Sequence, residues 1–333
     1  MVLVLRHIHQ PRQPAMESVE SFIREFQSES EFVTAHTSGS TGTPKEIHLK
    51  KSDMRASARA TNAFFGINSE STLCCALSTE YIAGKMMAVR ALEAQCRLVC
   101  LAPSRNLDFS PLGNCANLVA VVPAQVPSLL AEPDAALRFR NVLIGGAPLP
   151  ADMRRELCRS GVTAWLSYGM TETCSHVALA EVSGSEPVYH AMPGITFATT
   201  PDGRLKIIAP DFSFGELTTN DIVELTDSHT FRWLGRADNV INSGGIKLHP
   251  EQLESEFARH LPGAVFYLTS EPHPLWGRAL VMVLEGTEAD AEAARAVLEG
   301  AIADRHCLPK RYIAIEKLSR TASMKIIRNL NLR

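Results

Sequence analysis

The sequence predicts an α/β fold: a mostly parallel sheet with helices on both faces, antiparallel strands beyond it, and a small α+β unit at the C-terminal end. Three observations carry this. From Glu31 to Tyr168, short continuous apolar runs alternate with helical stretches, the pattern of parallel strands buried on both faces. After Tyr168 the apolar runs shorten and alternate with polar residues, which suits antiparallel strands. From about Arg236 to the end, strand-like and helical segments mix again. The pattern therefore divides the chain into domains 1–235 and 236–333.

Each element follows from local signals. "EFVTAH" reads as a strand, and the Ser/Thr/Gly stretch after it as a loop leading into the helix "SDMRASARATNAFFG". Ser52 is the expected N-cap of that helix and Gly66 its stop. "STLCCAL" is strand-like, "AGKMMAVRALEA" helical, "CRLVCLA" and "NLVAVVP" strand-like. "AQVPSLLAE" is a weak helix that Pro127 is expected to interrupt. "NVLIGG" is a strand. "PADMRRELCRSG" is a helix between Pro150 and Gly161, and "VTAWLS" a strand. Beyond Tyr168, "RLKIIAP", "GELTTNDIVELT" and "TFRWLG" read as antiparallel strands. In the last part Pro250 starts a helix whose buried face holds Leu253, Phe257 and Leu261. The strands "AVFYLT" and "RALVMVLEG", the helix "EADAEAARAVLEGAIADRH" and the strand "RYIAIEKL" complete it.

Composition bounds the function. The chain has 333 residues, 45% of them hydrophobic, and a formal net charge of -3. The core is sizeable, and the mild acidity offers nothing to attract nucleic acid or an anionic membrane. The N-terminal apolar run "MVLVL" is too short for a signal peptide and precedes its basic residue, so a cytoplasmic protein is expected. Eight cysteines are scattered through strand-like runs with no pair of C-x-x-C motifs, which points to buried reduced thiols and away from zinc.

Chemistry is concentrated in a few segments. "TSGSTGTPK", Thr37 to Lys45, combines glycines, hydroxyls and a cation after a strand, so its N–H groups can converge on a phosphate. It is not the G-x-x-x-x-G-K-[ST] loop, because Pro44 intervenes. "LSYGMTET" also follows a buried strand, at the sheet edge where ligands bind in parallel α/β folds. There Tyr168 offers a stacking face, Thr171 a phosphate donor and Glu172 a Mg²⁺ ligand. "TTNDIVEL" offers Asp221, "GRADNVINSGG" offers Arg236 and Asp238, and "SRTASMKIIR" offers Lys325. Taken singly, these residues also read as a core aromatic, a surface carboxylate, a turn, an exposed ion pair and a solvated lysine.

In this order the segments resemble the adenylate-forming superfamily of acyl-CoA synthetases, from about Phe32 to Arg328. "SYGMTETCSH" and "IGGAPLP" look most like the o-succinylbenzoate–CoA ligases. The resemblance implies a mobile C-terminal lid and an acid–CoA ligase that uses ATP, Mg²⁺ and CoA on a small carboxylic acid, with no nucleic-acid partner or membrane insertion and with homo-oligomerisation left open. Thr37, Ser38, Gly39, Ser40, Thr41, Gly42 and Lys45 would grip the β- and γ-phosphates. Gly145, Gly146 and Ala147 would line the adenine and acyl pocket, and Tyr168 with Gly169 would meet the adenine. Thr171 would touch the α-phosphate and Glu172 would ligate Mg²⁺. Asp221 would bind the ribose hydroxyls with Arg236 nearby, and Asp238 would be the lid hinge. Gly244 and Gly245 would approach the pantetheine arm, and Lys325 would bridge the substrate carboxylate and the α-phosphate. Ser175, His176, Lys85 and Tyr81 are candidates for the acid pocket. Attack of a carboxylate on the α-phosphorus brings two anions together, so these cations answer a real electrostatic need.

The sequence departs from the family at the front, where only Met1 to Glu31 stands in place of a large N-terminal subdomain, and at Ser319, Met324 and Tyr81. Two other readings stand beside the ligase reading: an adenylating enzyme that loads another aryl or acyl acid onto a carrier protein, and an adenylate-binding sensor without turnover, which the short front end favours.

Overall fold

The computed structural model describes residues 14–36, 45–320 and 326–328. It opens with a helix that the sequence patterns left unassigned, α1 (Pro14–Gln27). Val19, Phe22 and Phe26 share one face of it and are all buried. Strands β1 (Phe32–His36) and β2 (Glu46–Lys50) then pair antiparallel, with His36 opposite Glu46. The Ser/Thr/Gly stretch therefore joins two strands, where a strand-to-helix loop was expected; its residues 37–44 lie outside the described residues.

Helix α2 (Lys51–Phe64) starts one residue before the expected Ser52 cap; Lys50 is the N-cap, with no side-chain cap bond. What pins this start is Lys51, whose Nζ donates to the carbonyls of Glu25 (3.0 Å) and Ser28 (2.9 Å) at the end of α1. Strand β3 (Thr72–Cys75), helix α3 (Ile82–Ala94) and strand β4 (Arg97–Cys100) follow as predicted. The apolar face of α1 packs on α3 and β4, and each of its buried side chains contributes about 1.5–3 kcal/mol.

Next come β5 (Leu118–Val121), α4 (Val126–Leu130), α5 (Ala135–Arg138), β6 (Val142–Ile144), α6 (Ala151–Ser160) and β7 (Ala164–Gly169). Pro127 does not interrupt α4: it occupies the first turn, where no intrahelical N–H bond is lost. Strands β4, β3, β5, β6 and β7 lie side by side, all parallel. The chain then reverses into β8 (His176–Glu181), β9 (Tyr189–Ala191), β10 (Thr196–Thr199), β11 (Arg204–Ala209), β12 (Gly215–Asp227) and β13 (Thr230–Arg236). These extend the same sheet antiparallel to eleven strands among the described residues, in the order β10-β11-β12-β13-β9-β8-β7-β6-β5-β3-β4. Strands β8, β9 and β10 were missed from sequence.

The last part forms its own sheet. Strands β14 (Ile241–Ser243) and β15 (Ile246–Leu248) make a hairpin that the sequence reading treated as turn-rich. Its two-residue turn needs Gly244 and Gly245, at φ +61° and +87°. Helix α7 (Pro250–His260) buries Leu253 and Phe257, whereas Leu261 falls just past its end. Strands β16 (Phe266–His273) and β17 (Gly277–Glu285), helix α8 (Glu288–Ala301) and strand β18 (Arg311–Ile315) complete it. Helix α8 stops short of the predicted "DRH". All eight cysteines are free, but Cys115 and Cys158 are exposed, contrary to the expectation of burial. No helix among the described residues is long and apolar enough to cross a membrane.

Candidate active site

Gly145 to Ala147 and Tyr168 to Glu172 gather at the carboxyl ends of β6 and β7. These strands are adjacent and parallel, with Ile144 opposite Leu166. Their continuations, Gly145–Ala147 and Tyr168–Thr173, therefore open on the same sheet edge. The Gly145 N–H donates to the Val121 carbonyl at 3.2 Å, and Gly146 turns the chain away at φ +85°. Gly169 sits where β7 meets β8: a Cβ there would lie 2.3 Å from the Ser175 carbonyl oxygen. Thr171 to Thr173 form a short 3-10 turn fastened by Thr173, which accepts from the Met170 N–H (3.0 Å) and donates to the Ser175 carbonyl (2.7 Å). Thr171 is buried, and Glu172 beside it is half-buried with no hydrogen bond or ion pair to a described residue.

From Tyr168 the site extends to Asp221, which is only 7% exposed. The Tyr168 hydroxyl donates to Asp221 Oδ2 at 2.7 Å and the Trp233 indole N–H to Oδ1 at 3.1 Å. Arg236 stands 3.7 Å from Asp221 Oδ1 and also 3.2 Å from Asp238 Oδ2, so one guanidinium faces two carboxylates. Burial, and then the Asp221 charge, push the Tyr168 hydroxyl well above its ordinary pKa, so it stays a donor. The Tyr168 ring packs edge-on to Phe231 at 5.0 Å, and Phe231 stacks on Tyr189.

A second polar cluster adjoins Glu172 through Ser175 and His176. Here the structure supplies a residue that sequence reasoning missed, Arg90 of α3. It is 2% exposed, donates from Nη2 to Ser175 Oγ at 2.6 Å, and has a buried Nε with no partner among the described residues. Burial lowers its pKa to about 10, which leaves it charged at neutral pH. No described carboxylate pairs with it. His176 places Nε2 3.1 Å from Thr61 Oγ1 and Nδ1 3.4 Å from Ser175 Oγ. Burial first, and then Arg90, hold its pKa well below the ordinary value, so the imidazole is neutral. One signal was available in the sequence: "AGKMMAVRALEA" is almost wholly apolar, and a cation inside a helix buried all round calls for a function.

Other predicted residues lie elsewhere. Lys85 faces α1, with Nζ 4.6 Å from the Phe22 ring centroid and 3.9 Å from Glu25, and is not joined to Ser175 or His176. The apolar face of α1 draws it there, and burial lowers its pKa. Tyr81 is 43% exposed at the start of α3. Gly244 and Gly245 sit on the exposed β14–β15 turn, and Asp238 in the 3-10 turn after β13. Lys45 is exposed just ahead of β2. Thr37, Ser38, Gly39, Ser40, Thr41, Gly42 and Lys325 lie outside the described residues.

The model of the AMP-binding enzyme family matches residues 9–215. A 2-succinylbenzoate–CoA ligase of Bacillus cereus is 24% identical over 343 residues, covering 92% of this chain and 71% of that protein. An acyl-CoA synthetase (AMP-forming)/AMP-acid ligase II-like protein from Dyadobacter fermentans is 32% identical, with a TM-score of 0.61, over 96% of this chain and 93% of the other. The o-succinylbenzoate coenzyme A synthetase of Bacillus subtilis, solved with ATP and magnesium ion, has the same fold at a TM-score of 0.72 and 21% identity, over 89% of this chain and 69% of that one. With its site at the carboxyl edge of the parallel strands and a family match over most of its length, the chain belongs to the AMP-binding enzymes, in the branch of AMP-forming acid–CoA ligases.

Proposed function

We propose that the protein joins a small dicarboxylic aryl acid of the o-succinylbenzoate type to CoA through an acyl-adenylate, releasing AMP and pyrophosphate. The observation that carries the choice of acid is Arg90: a buried, charged guanidinium whose Nε has no partner among the described residues, beside Ser175 and neutral His176. Such a cation without a carboxylate is costly unless a ligand completes it. A substrate with two carboxylates needs this, because one reacts at phosphorus and the other must be neutralised in place. A neutral His176, held by Thr61 and Ser175, lines the cluster without adding a second charge.

Asp221, fixed by two donors, keeps lone pairs for the ribose hydroxyls, while Tyr168 and Gly145 to Ala147 bound the purine. ATP sits with its phosphates toward Thr171 and the Ser/Thr/Gly stretch. Glu172 fits Mg²⁺: a half-buried carboxylate with no described partner offers the hard oxygen that Mg²⁺ takes alongside phosphate oxygens. The metal would shield the phosphate charge. Lys325 is the lysine proposed to bridge the reacting carboxylate and the α-phosphate. The β14–β15 turn at Gly244 and Gly245 serves the thioester step, after residues 236–333 turn about Asp238 as a lid.

The test is Arg90→Gln, assayed for adenylate formation with o-succinylbenzoate and with benzoate. The expected result is a loss of about a hundredfold or more in kcat/KM for the dicarboxylate, with a much smaller change for any activity on benzoate. Equal losses on both acids would show that Arg90 has no contact specific to the second carboxylate, and the choice of acid would fall.

A further inference from the structure

Asp221 lies on β12 and Trp233 and Arg236 on β13, and the pairing between these strands is irregular at this point. Asp221 is opposite Arg236, Ile222 opposite Gly235, and Val223 opposite Trp233. Leu234 is thus an extra residue with no partner, a β-bulge. In a regular strand, side chains alternate between faces, so residues 233 and 236, three apart, would point to opposite sides. The extra residue restores both to the face of Asp221, and bulges beside active sites commonly re-aim side chains in this way. Its result is measurable: the indole N–H reaches Asp221 Oδ1 at 3.1 Å while Arg236 stands 3.7 Å from the same oxygen.

We infer that Trp233, carried to the Asp221 face by the bulge at Leu234, is a positioning residue that fixes the carboxylate plane for a vicinal diol and so sets the preference for ribonucleotides. The inference rests on the proposal that Asp221 receives the ribose. The Trp233 donor holds one oxygen and the Tyr168 hydroxyl holds the other at 2.7 Å. With both oxygens held, the carboxylate cannot rotate, and its remaining lone pairs keep one direction. Two neighbouring hydroxyls need such a fixed pair of acceptors, whereas a nucleotide without them gains nothing from it.

The experiment is calorimetric titration of the full chain with ATP and with 2′,3′-dideoxy-ATP, comparing the unaltered protein, Trp233→Phe and Asp221→Asn. Trp233→Phe keeps the ring and removes the N–H. It should weaken ATP binding by about tenfold and leave dideoxy-ATP within about twofold, so that the preference between them narrows. Equal weakening of both nucleotides, or no change in either, would overturn the inference, since a role in packing alone does not depend on the sugar hydroxyls. Asp221→Asn separates the two levels. If it leaves the ATP/dideoxy-ATP ratio unchanged, the ribose reading itself fails and takes the inference with it. If Asp221→Asn lowers the ratio and Trp233→Phe does not, only the role of Trp233 fails.

Discussion

Single residues in this protein are set by their neighbours more than by their type. Two cations on the same helix show it: Lys85 is drawn against the aromatic face of α1, while Arg90 points to Ser175 and has no carboxylate partner among the described residues. His176 offers a pH test. Unfolded, a histidine takes up its proton near pH 6.5; folded, His176 does so only at much lower pH, because burial and Arg90 oppose the charge. Above about pH 6.5 it is neutral in both states and contributes no pH dependence. As the pH falls below that value the unfolded state gains the proton first, and stability is lost. The groups facing it are Thr61, Ser175 and Arg90, of which only Arg90 is charged. The melting temperature should therefore fall more between pH 7 and pH 5 in the unaltered protein than in His176→Gln. Parallel curves for the two would contradict the burial of a neutral imidazole.

At the scale of elements, the parallel half of the sheet was legible because its strands are continuous apolar runs bounded by clear helices. Strand β2 was not: "EIHLK" alternates like a solvated helix start, and only its pairing with β1 makes it a strand. Strand β9 is held by the distant β13, β10 is four residues long, and β9, β14 and β15 are three residues each, too short to carry a periodic signal. Helix α1 was hidden because few apolar residues, Val19, Phe22 and Phe26 chief among them, carry its buried face within a segment rich in charged and polar ones. Motif order revealed Tyr168, Glu172 and Asp221, but a pattern read along the chain cannot show that Trp233 and Tyr168 converge on one carboxylate. The corner between β7 and β8 shows how tight the site is. Gly169→Ala would put a Cβ 2.3 Å from one backbone atom and 2.6 Å from another, neither of which can swing away. The expected cost is about 1–3 kcal/mol of stability, with a loss of adenylate formation because Thr171 and Glu172 shift with the corner. Denaturant unfolding checks this; a variant as stable and active as the parent would show that the corner yields freely.

Over the whole molecule, the eleven-stranded sheet carries the site and the five-stranded sheet stands beside it. Glu186 links them: one of its oxygens accepts from Arg154 of α6 at 3.0 Å and from Ser255 and Arg259 of α7 at 3.1 and 2.5 Å. Glu186 and Arg259 are roughly half exposed, so their bridge contributes only about 0–1 kcal/mol, weak enough to open in the lid movement proposed above. Helix α1 covers α3 and β4 at the edge of the parallel half. In the proposed function the protein performs both steps, adenylate formation and thioester formation. Pyrophosphate release and thioester formation from ATP and Mg²⁺, measured over a panel of acids with and without CoA, test that claim most directly. Pyrophosphate release should depend on o-succinylbenzoate, be much weaker with monocarboxylic aryl acids, and lead to o-succinylbenzoyl-CoA only when CoA is added. ATP binding without acid-dependent pyrophosphate release would contradict it and leave the protein a nucleotide sensor, and adenylate that forms but never passes to CoA would make it a carrier-loading enzyme instead.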